Sequence, residues 1–548
     1  MTHRQILQAM SGLLLAMFVA MLSSTIVTNA LPRIVEDLHG TQTGYTWVAA
    51  STLLSMTAST PIWGKLADLF SKKLLMQLAL GIYVAASMVA GLSQSMGMLI
   101  GARVVQGIGV GGVLAMVQIV MASMVSPRER GKYSGYIGAV FALATVIGPL
   151  VGGVIVDSSI GWRGCFYVGA PIAVVAFLLL QATLHLPVIK REAHIDYLGA
   201  FFIIAGVSSL LIWVTLAGQQ FGWISWETFA MVIGGLVMLG IATYVEAKVA
   251  RQPIIPLPLL KDRTVALATV ASIFIGFAMM GSTYYTSEYF QDSRGMSPTM
   301  AGLMSICMVG GLMVSSLVVG RIITRTGRWK KWLIMGAVLV VTGLALLGTI
   351  NGFTNRAWIG VFMAILGLGL GATNQNLVLA VQNNARQESV GAATAVVSFF
   401  RSMGGAIGVS ALGAVLNSQV QHSVAHGVPQ LIGEGKVTVG QVAALDQGVP
   451  DVQTLPDGLR QLFEASFGQA AGHLFLIAAP FALLALAAIV LIRETRLRTS
   501  LKRLDDEEIA PEVAVELELG TLGEEPALAT IAAGAESPVA DGGRVALS

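Results

Sequence analysis

The segment Gly64-Lys65-Leu66-Ala67-Asp68-Leu69-Phe70-Ser71-Lys72-Lys73 separates two apolar runs, and Gly320-Arg321-Ile322-Ile323-Thr324-Arg325-Thr326-Gly327-Arg328 separates two others on the same plan. In both, a glycine closes the first run, a basic residue follows at once, and a second basic cluster opens the next run. A second pair agrees in offset to within a few residues: Gly107-Ile108-Gly109-Val110-Gly111 and Gly367-Leu368-Gly369-Leu370-Gly371. The chain therefore reads as a duplicated helical bundle.

Working outward, the runs between Leu7 and Ile492 are each long enough to span a membrane. About 20 apolar residues cross a hydrocarbon core as a helix, because backbone donors and acceptors must be satisfied internally where water is absent. Fourteen spans are predicted, at about 9–31, 46–67, 74–93, 98–124, 133–155, 164–186, 197–217, 228–247, 264–290, 298–320, 331–350, 357–381, 390–416 and 470–492. Composition agrees: 55% of residues are hydrophobic and 11% charged, against roughly 25% charged in soluble chains.

Charge placement checks the count. With the N-terminus inside, 24 of the 33 Lys and Arg fall on inner loops, while the outer loops hold Arg33, Arg163, Arg294, Arg356, Lys436 and Arg460. A miscounted span would scramble that segregation from its position onward. Both termini are thus expected in the cytoplasm, in a bacterial-type cytoplasmic membrane. The first run is too long for a signal-peptide core and is expected to remain as a helix. Cys165 and Cys307 lie in or beside apolar runs and read as packing residues.

Corresponding spans of the repeat lie eight apart, so two six-span halves are separated by an inserted pair. The expected organisation is residues 1–190 as the first six-helix bundle, 191–260 as two inserted helices, and 261–500 as the second bundle with a long outer loop at 417–469. Residues 501–548 follow as a disordered acidic cytoplasmic tail, rich in Asp and Glu from Asp505 onward. Duplicated halves with a site between them suit alternating access, in which one half rocks on the other. Small residues four apart let helices approach closely, since lipid supplies no hydrophobic drive. Gly148-Pro149-Leu150-Val151-Gly152-Gly153 adds a proline that removes a backbone donor within a span, and reads as a hinge.

These residues resemble a known family. The run Gly64 to Lys73 resembles the loop signature of the major facilitator superfamily; Leu99-Ile100-Gly101-Ala102-Arg103-Val104-Val105-Gln106-Gly107-Ile108-Gly109 is similar to its span 4 signature; and Gly138 to Gly153 is similar to its span 5 antiporter signature. Together with Leu22 to Pro32 in span 1 and Trp162-Arg163 through Pro171, they point to the fourteen-span drug/proton antiporter group, the EmrB/QacA group. The resemblance covers all fourteen spans. It implies an all-α fold of two six-helix halves plus two inserted helices. It further implies outward transport by proton-coupled antiport, driven by the proton gradient with no cofactor. By the same resemblance Asp68 latches the halves by pairing with a basic residue, here Arg130, alongside Gly64, Lys72 and Lys73. Leu69 and Ser71 depart from the pattern, which usually has Arg and Gly there.

Arg103 stands well inside the bilayer with Gln106, Gly107 and Gly111 on its face. A charged group there faces the bundle interior or a water-filled path, and the resemblance implies a part in proton exchange. Arg401 lies 13 residues past Glu388 and is expected to snorkel toward the inner face. In span 1 the antiporter pattern Leu-Asp-x-Thr reads Leu22-Ser23-Ser24-Thr25, so the customary carboxylate is missing. A serine does not titrate near neutral pH. Glu288, near the outer end of span 9, is the best remaining acid, with Asp157 at the outer end of span 5 behind it.

A cavity lined by Asn29, Gln118, Tyr284, Tyr285, Asn374 and Gln375 is expected to take hydrophobic small molecules or drugs, weakly cationic ones included. An alternative keeps the fold and makes the cargo a lipid or endogenous metabolite. A membrane enzyme or sensor is disfavoured: no HExxH, GxSxG or P-loop is present, and no span carries clustered His and carboxylate ligands. The expected partners are the membrane and small hydrophobic cargo, with no nucleic acid, in a monomeric protein.

Overall fold

The computed structural model describes residues 3–40, 42–186, 196–217, 220–250, 252–296, 298–386, 389–433 and 456–499. The acidic tail and parts of two loops, 187–195 and 434–455, lie outside these residues. Among the described residues the protein is helical with no strand, the nearest approach being a lone bridge between Ala217 and Phe221.

The first half contains α1 (His3–Asp37), α2 (Gln42–Leu69), α3 (Lys72–Gly91), α4 (Met96–Met124), α5 (Pro127–Asp157), a single turn α6 (Gly164–Tyr167) and α7 (Gly169–Thr183). The middle of the chain forms α8 (Tyr197–Leu216), α9 (Trp226–Tyr244) and a short α10 (Leu257–Lys261). There follow α11 (Arg263–Glu288), α12 (Pro298–Thr326), α13 (Lys330–Leu347), α14 (Arg356–Asn384), α15 (Val390–Gly433) and α16 (Asp457–Leu491).

Many helices start where a side chain takes up the free N–H groups of a first turn. Ser71 accepts from Leu74, Ser95 from Met98, Asn355 from Ala357, and Asp262 from both Thr264 and Val265. After α12, Gly327 takes a φ of +69°, a conformation glycine adopts without a Cβ clash, and this turns the chain into α13.

Thirteen of the described helices are long and apolar enough to cross a membrane, with α6 and α7 together making one. Fourteen were expected. The predicted second span is a helix of 28 residues, but Ser51, Thr52, Ser55, Thr57, Ser59 and Thr60 lower its apolar character. Several of these hydroxyls bond back to the helix or across to α4: Ser55 to the Ser51 carbonyl, Thr60 to that of Met56, and Thr52 to that of Arg103. Inside the bundle, such satisfied hydroxyls carry little cost.

Buried apolar side chains form one cluster drawn from Ala9 through Leu184 and another drawn mainly from Val265 through Leu497. The inserted helices pack elsewhere. Ile203, Val207 and Leu211 of α8 and Ala242 of α9 join Leu54 of α2 with Phe399 and Ala406 of α15. The free face of α9 carries Phe229, Ile233, Leu236 and Val237, all exposed, as a lipid-facing helix would.

In the stretch read as a long outer loop, 417–469, the described residues 417–433 and 457–469 are helical. α15 runs on to Gly433 and α16 already begins at Asp457. Val428 of α15 and Leu459 of α16 bury against each other, with Val424, Leu431 and Leu462 around them. That apolar contact, outside the bulk of the bundle, is what extends both helices.

Candidate functional site

The two halves meet at the end of the bundle that carries most of the basic loops. Here α2 crosses the start of α15, and the end of α12 crosses α5. Both crossings are made by glycine on glycine. A Cβ on Gly320 would overlap the carbonyl oxygen of Gly131, and one on Gly391 would stand 2.5 Å from the Gly64 oxygen. Gly64 and Gly320 open the two repeated segments, and Gly131 and Gly391 stand at matching places in the two halves.

Polar contacts close each crossing. The Asp68 carboxylate accepts from the backbone N–H groups of Gly391 and Ala392, both at 2.9 Å. At the second crossing the Lys132 N–H donates to Thr324 Oγ1 at 2.9 Å. Arg128 also donates to the carbonyls of Thr324 and Arg325 at the C-terminus of α12, at 3.2 and 3.1 Å. An anion thus sits at one helix N-terminus and a cation at another helix C-terminus, the arrangement that helix dipoles favour.

The expected Asp68–Arg130 pair is not formed. Arg130, 3% exposed, donates to the Val125 carbonyl at 2.8 Å, the Ala122 carbonyl at 2.5 Å and Gln382 Oε1 at 3.4 Å. Free backbone N–H groups at the start of α15 meet the carboxylate, and the carbonyls ending α4 meet the guanidinium. Lys73 instead ties α3 to α7 through the Gln181 carbonyl at 2.8 Å, and Lys72 is the first residue of α3.

Sequence reading missed a strap just beyond α16. Glu494 accepts from the N–H groups of Trp329 and Lys330 at 3.0 and 3.2 Å, and the Thr495 carbonyl accepts from the Trp329 indole at 2.8 Å. The Arg498 carbonyl then accepts from the Arg128 N–H of α5 at 3.0 Å, while its guanidinium reaches the carbonyls of Gln382 and Ala385. Residues 494–498 therefore touch both halves. Glu494, an acid among Arg493, Arg496 and Arg498, was the available signal.

Deeper in the first half, Arg103 is 3% exposed. Its Nε donates to the Val48 carbonyl at 3.3 Å and one terminal nitrogen to Gln106 Oε1 at 2.7 Å. The Gln106 amide donates to Ser23 at 3.0 Å and Ser87 at 2.7 Å, and the Phe166 ring lies 6.0 Å from the guanidinium. Ser23 thus replaces the usual carboxylate with a neutral acceptor in a sealed network. The antiporter-like glycines pack within the same half: a Cβ on Gly148 would overlap Thr25 of α1, and one on Gly152 would meet the Ile26 carbonyl, whereas Gly153 faces open space. The side chains of Asn29, Pro149 and Asp157 lie outside the described residues.

In the second half Arg401 does not snorkel. One of its terminal nitrogens donates to Asn374 Oδ1 at 2.6 Å, and the Asn374 amide points to the Met279 sulfur at 3.5 Å. Gln118 and Gln375 are buried, each with a side-chain oxygen that accepts no hydrogen bond. Tyr285 is buried with its hydroxyl donating to the Val409 carbonyl, while Tyr284, stacked edge-on against it, is exposed. The expected cavity set therefore divides: Asn374 joins Arg401, Gln118 and Gln375 offer free acceptors, and Tyr285 is locked into packing. Glu288 ends α11, half-buried, one helical turn from Asp292 and with no hydrogen bond or ion pair to another of the described residues. No group of three or more His, Cys, Asp or Glu side chains suited to a metal occurs among the described residues.

The family model for the Major Facilitator Superfamily matches residues 13–409. The chain belongs to the major facilitator superfamily. Among curated relatives of this superfamily member, the efflux pump dotC of Dothistroma septosporum is 34% identical, over 89% of this chain and 84% of its own length. The multidrug transporter protein MdtP of Bacillus subtilis is 34% identical, covering 82% of each chain. The solved proton:xylose symporter XylE shares the fold with a TM-score of 0.59 at 12% identity, across 93% of this chain and all of that one. The protein is accordingly a multi-pass membrane transporter of the facilitator fold and not an enzyme.

Proposed function

We propose that the protein is a proton-coupled exporter of hydrophobic small molecules, of the fourteen-span EmrB/QacA group, working as a monomer by alternating access. In this reading α2 is the remaining span, both termini face the cytoplasm of a bacterial-type membrane, and the proton gradient alone supplies the energy. The name of the efflux-pump relative supports the outward direction.

The observation that carries the proposal is the pair of glycine crossings at the basic end. They are closed by contacts between halves that a rocking motion would break: Asp68 to the start of α15, and Arg128 to the end of α12. A set of contacts present in one conformation and absent in the other biases the equilibrium by its differential energy. Closed at the cytoplasmic end, the protein is in the state that releases cargo outward.

Glu288 is the coupling acid in this scheme. It is a half-buried carboxylate near the outer end, without a fixed partner and beside a second acid, Asp292. In proteoliposomes with an imposed pH gradient, wild-type protein accumulates cargo against its gradient. Glu288→Gln keeps downhill exchange and loses the accumulation. Unaltered uphill transport by the variant would remove Glu288 from the scheme, and a wild-type protein indifferent to the pH gradient would remove proton coupling altogether.

A further inference from the structure

Two arginines, Arg103 and Arg401, stand well inside expected membrane spans. Arg103 is sealed: Val48 of α2 and Gln106 of its own helix accept its hydrogen bonds, Ser23 and Ser87 hold Gln106, the Phe166 ring lies beside it, and 3% of it is exposed. Arg401 is different. It is partly exposed and makes its hydrogen bonds through one terminal nitrogen, to Asn374. Neither its Nε nor its other terminal nitrogen has a protein acceptor among the described residues, and no acid among them pairs with it.

Depth sharpens the contrast. Arg401 lies 11 residues into α15, and its partner Asn374 lies 10 residues before the end of α14, so both stand ~15 Å from the basic end at the rise of a helix. That is about half the thickness of a hydrocarbon core. A guanidinium with open donors at this depth faces a water-filled path rather than lipid, since hydrocarbon would leave its charge unsolvated.

Resting on the exporter reading, we propose that Arg401 is the recognition point for cargo and that the cargo is an amphipathic organic anion, bearing a carboxylate or sulfonate. Asn374 fixes one edge of the guanidinium and leaves the other edge, with two nitrogens in a planar fork, to meet two oxygens of the anion. The Met279 sulfur beside Asn374 gives that side of the site a soft apolar character suited to the body of such a molecule. Ser23 fits the same scheme. A neutral residue in span 1 adds no negative charge that would repel an anionic cargo. An anion leaving a cell that is negative inside also moves with the membrane potential.

The test compares two dyes on one ring system, anionic carboxyfluorescein and cationic rhodamine 123, in proteoliposomes containing the full chain. Wild-type protein carries the anion faster than the cation by roughly ten-fold or more, the discrimination expected of a charge-matched site. Arg401→Gln abolishes that preference and Arg401→Lys keeps part of it. Asn374→Asp, which supplies Arg401 with an internal carboxylate, gives the same loss in a nearly isosteric chain and guards against misfolding of the first variant. Transport of the cation without the anion overturns the cargo class and leaves the exporter reading standing, as does an Asn374→Asp protein that still prefers the anion. A wild-type protein that moves neither dye, nor a neutral one, overturns both readings.

Discussion

The two glycine crossings look like copies of one another, yet they are fastened by different chemistry because their helices begin at different places. Gly391 is the second residue of α15, so its N–H and that of Ala392 belong to the first turn and lack intrahelical acceptors. Gly131 is the fifth residue of α5, and Lys132 the sixth, so the N–H groups at the matching place already lie within the helix. A carboxylate therefore has free donors to cap at one crossing and not at the other. Asp68 fills the first position, and the chain carries Thr324 at the second. At the second crossing the charge moves to Arg128, which meets the last carbonyls of α12. Duplication preserved the backbone approach, and helix starts then dictated which side chains hold it.

The largest effect should come from the feature the crossings share. Gly320→Val places a branched side chain against the carbonyl of Gly131, which as backbone has little room to move. Overpacking costs about 1–3 kcal/mol, and a contact with immovable backbone belongs at the upper end of that range, enough to shift the population roughly a hundred-fold toward the state open at the basic end. A cysteine introduced at Ser134, which is buried near this crossing, reports the shift by faster reaction with an impermeant maleimide. The assay requires Cys165 and Cys307 to be replaced first. Unchanged labelling together with unchanged transport would mean that the close approach does not hold the gate.

Next comes the charge that distinguishes the first crossing. Asp68→Asn leaves one acceptor oxygen where the carboxylate offered two to a helix N-terminus. Hydrogen bonds to a charged group contribute about 1.5–3 kcal/mol, so the closed state loses roughly ten-fold in population, visible in the same labelling assay. If Asp68→Asn and Gly320→Val gave equal effects, the crossings would be acting as one rigid unit rather than as two fastenings.

What the sequence disclosed follows the same division. The repeated Gly64 and Gly320 segments and the matched glycine runs were legible because a backbone approach needs a particular residue type, glycine, at a particular spacing. The partner of Asp68 was not, because the acceptors and donors that decide it are backbone groups. Nothing in the identity of Gly391 or Ala392 announces that α15 starts at Val390. The family resemblance pointed to Arg130 as the partner, while the carbonyls at the end of α4 had a stronger claim on it. Arg401 was found in the sequence, but the direction of its side chain was misjudged, since Asn374 lies on another helix 27 residues away. The strap at 494–498 went unnoticed for a similar reason: most of its hydrogen bonds use a main-chain group on one side or the other.

The smallest effect should fall on the second crossing's hydroxyl. Thr324→Val keeps the shape of the side chain and removes the acceptor for the Lys132 N–H. Because Lys132 lies past the first four residues of α5, that N–H has an intrahelical acceptor of its own and is not left stranded. The loss should therefore lie at the low end for a neutral hydrogen bond, about 0.5 kcal/mol, or roughly a two-fold change in Ser134→Cys labelling. Arg128 continues to hold the α12 carbonyls in this variant. A response to Thr324→Val as large as that to Asp68→Asn would show that the hydroxyl carries the second crossing. The position of each helix start would then cease to explain why the two crossings differ.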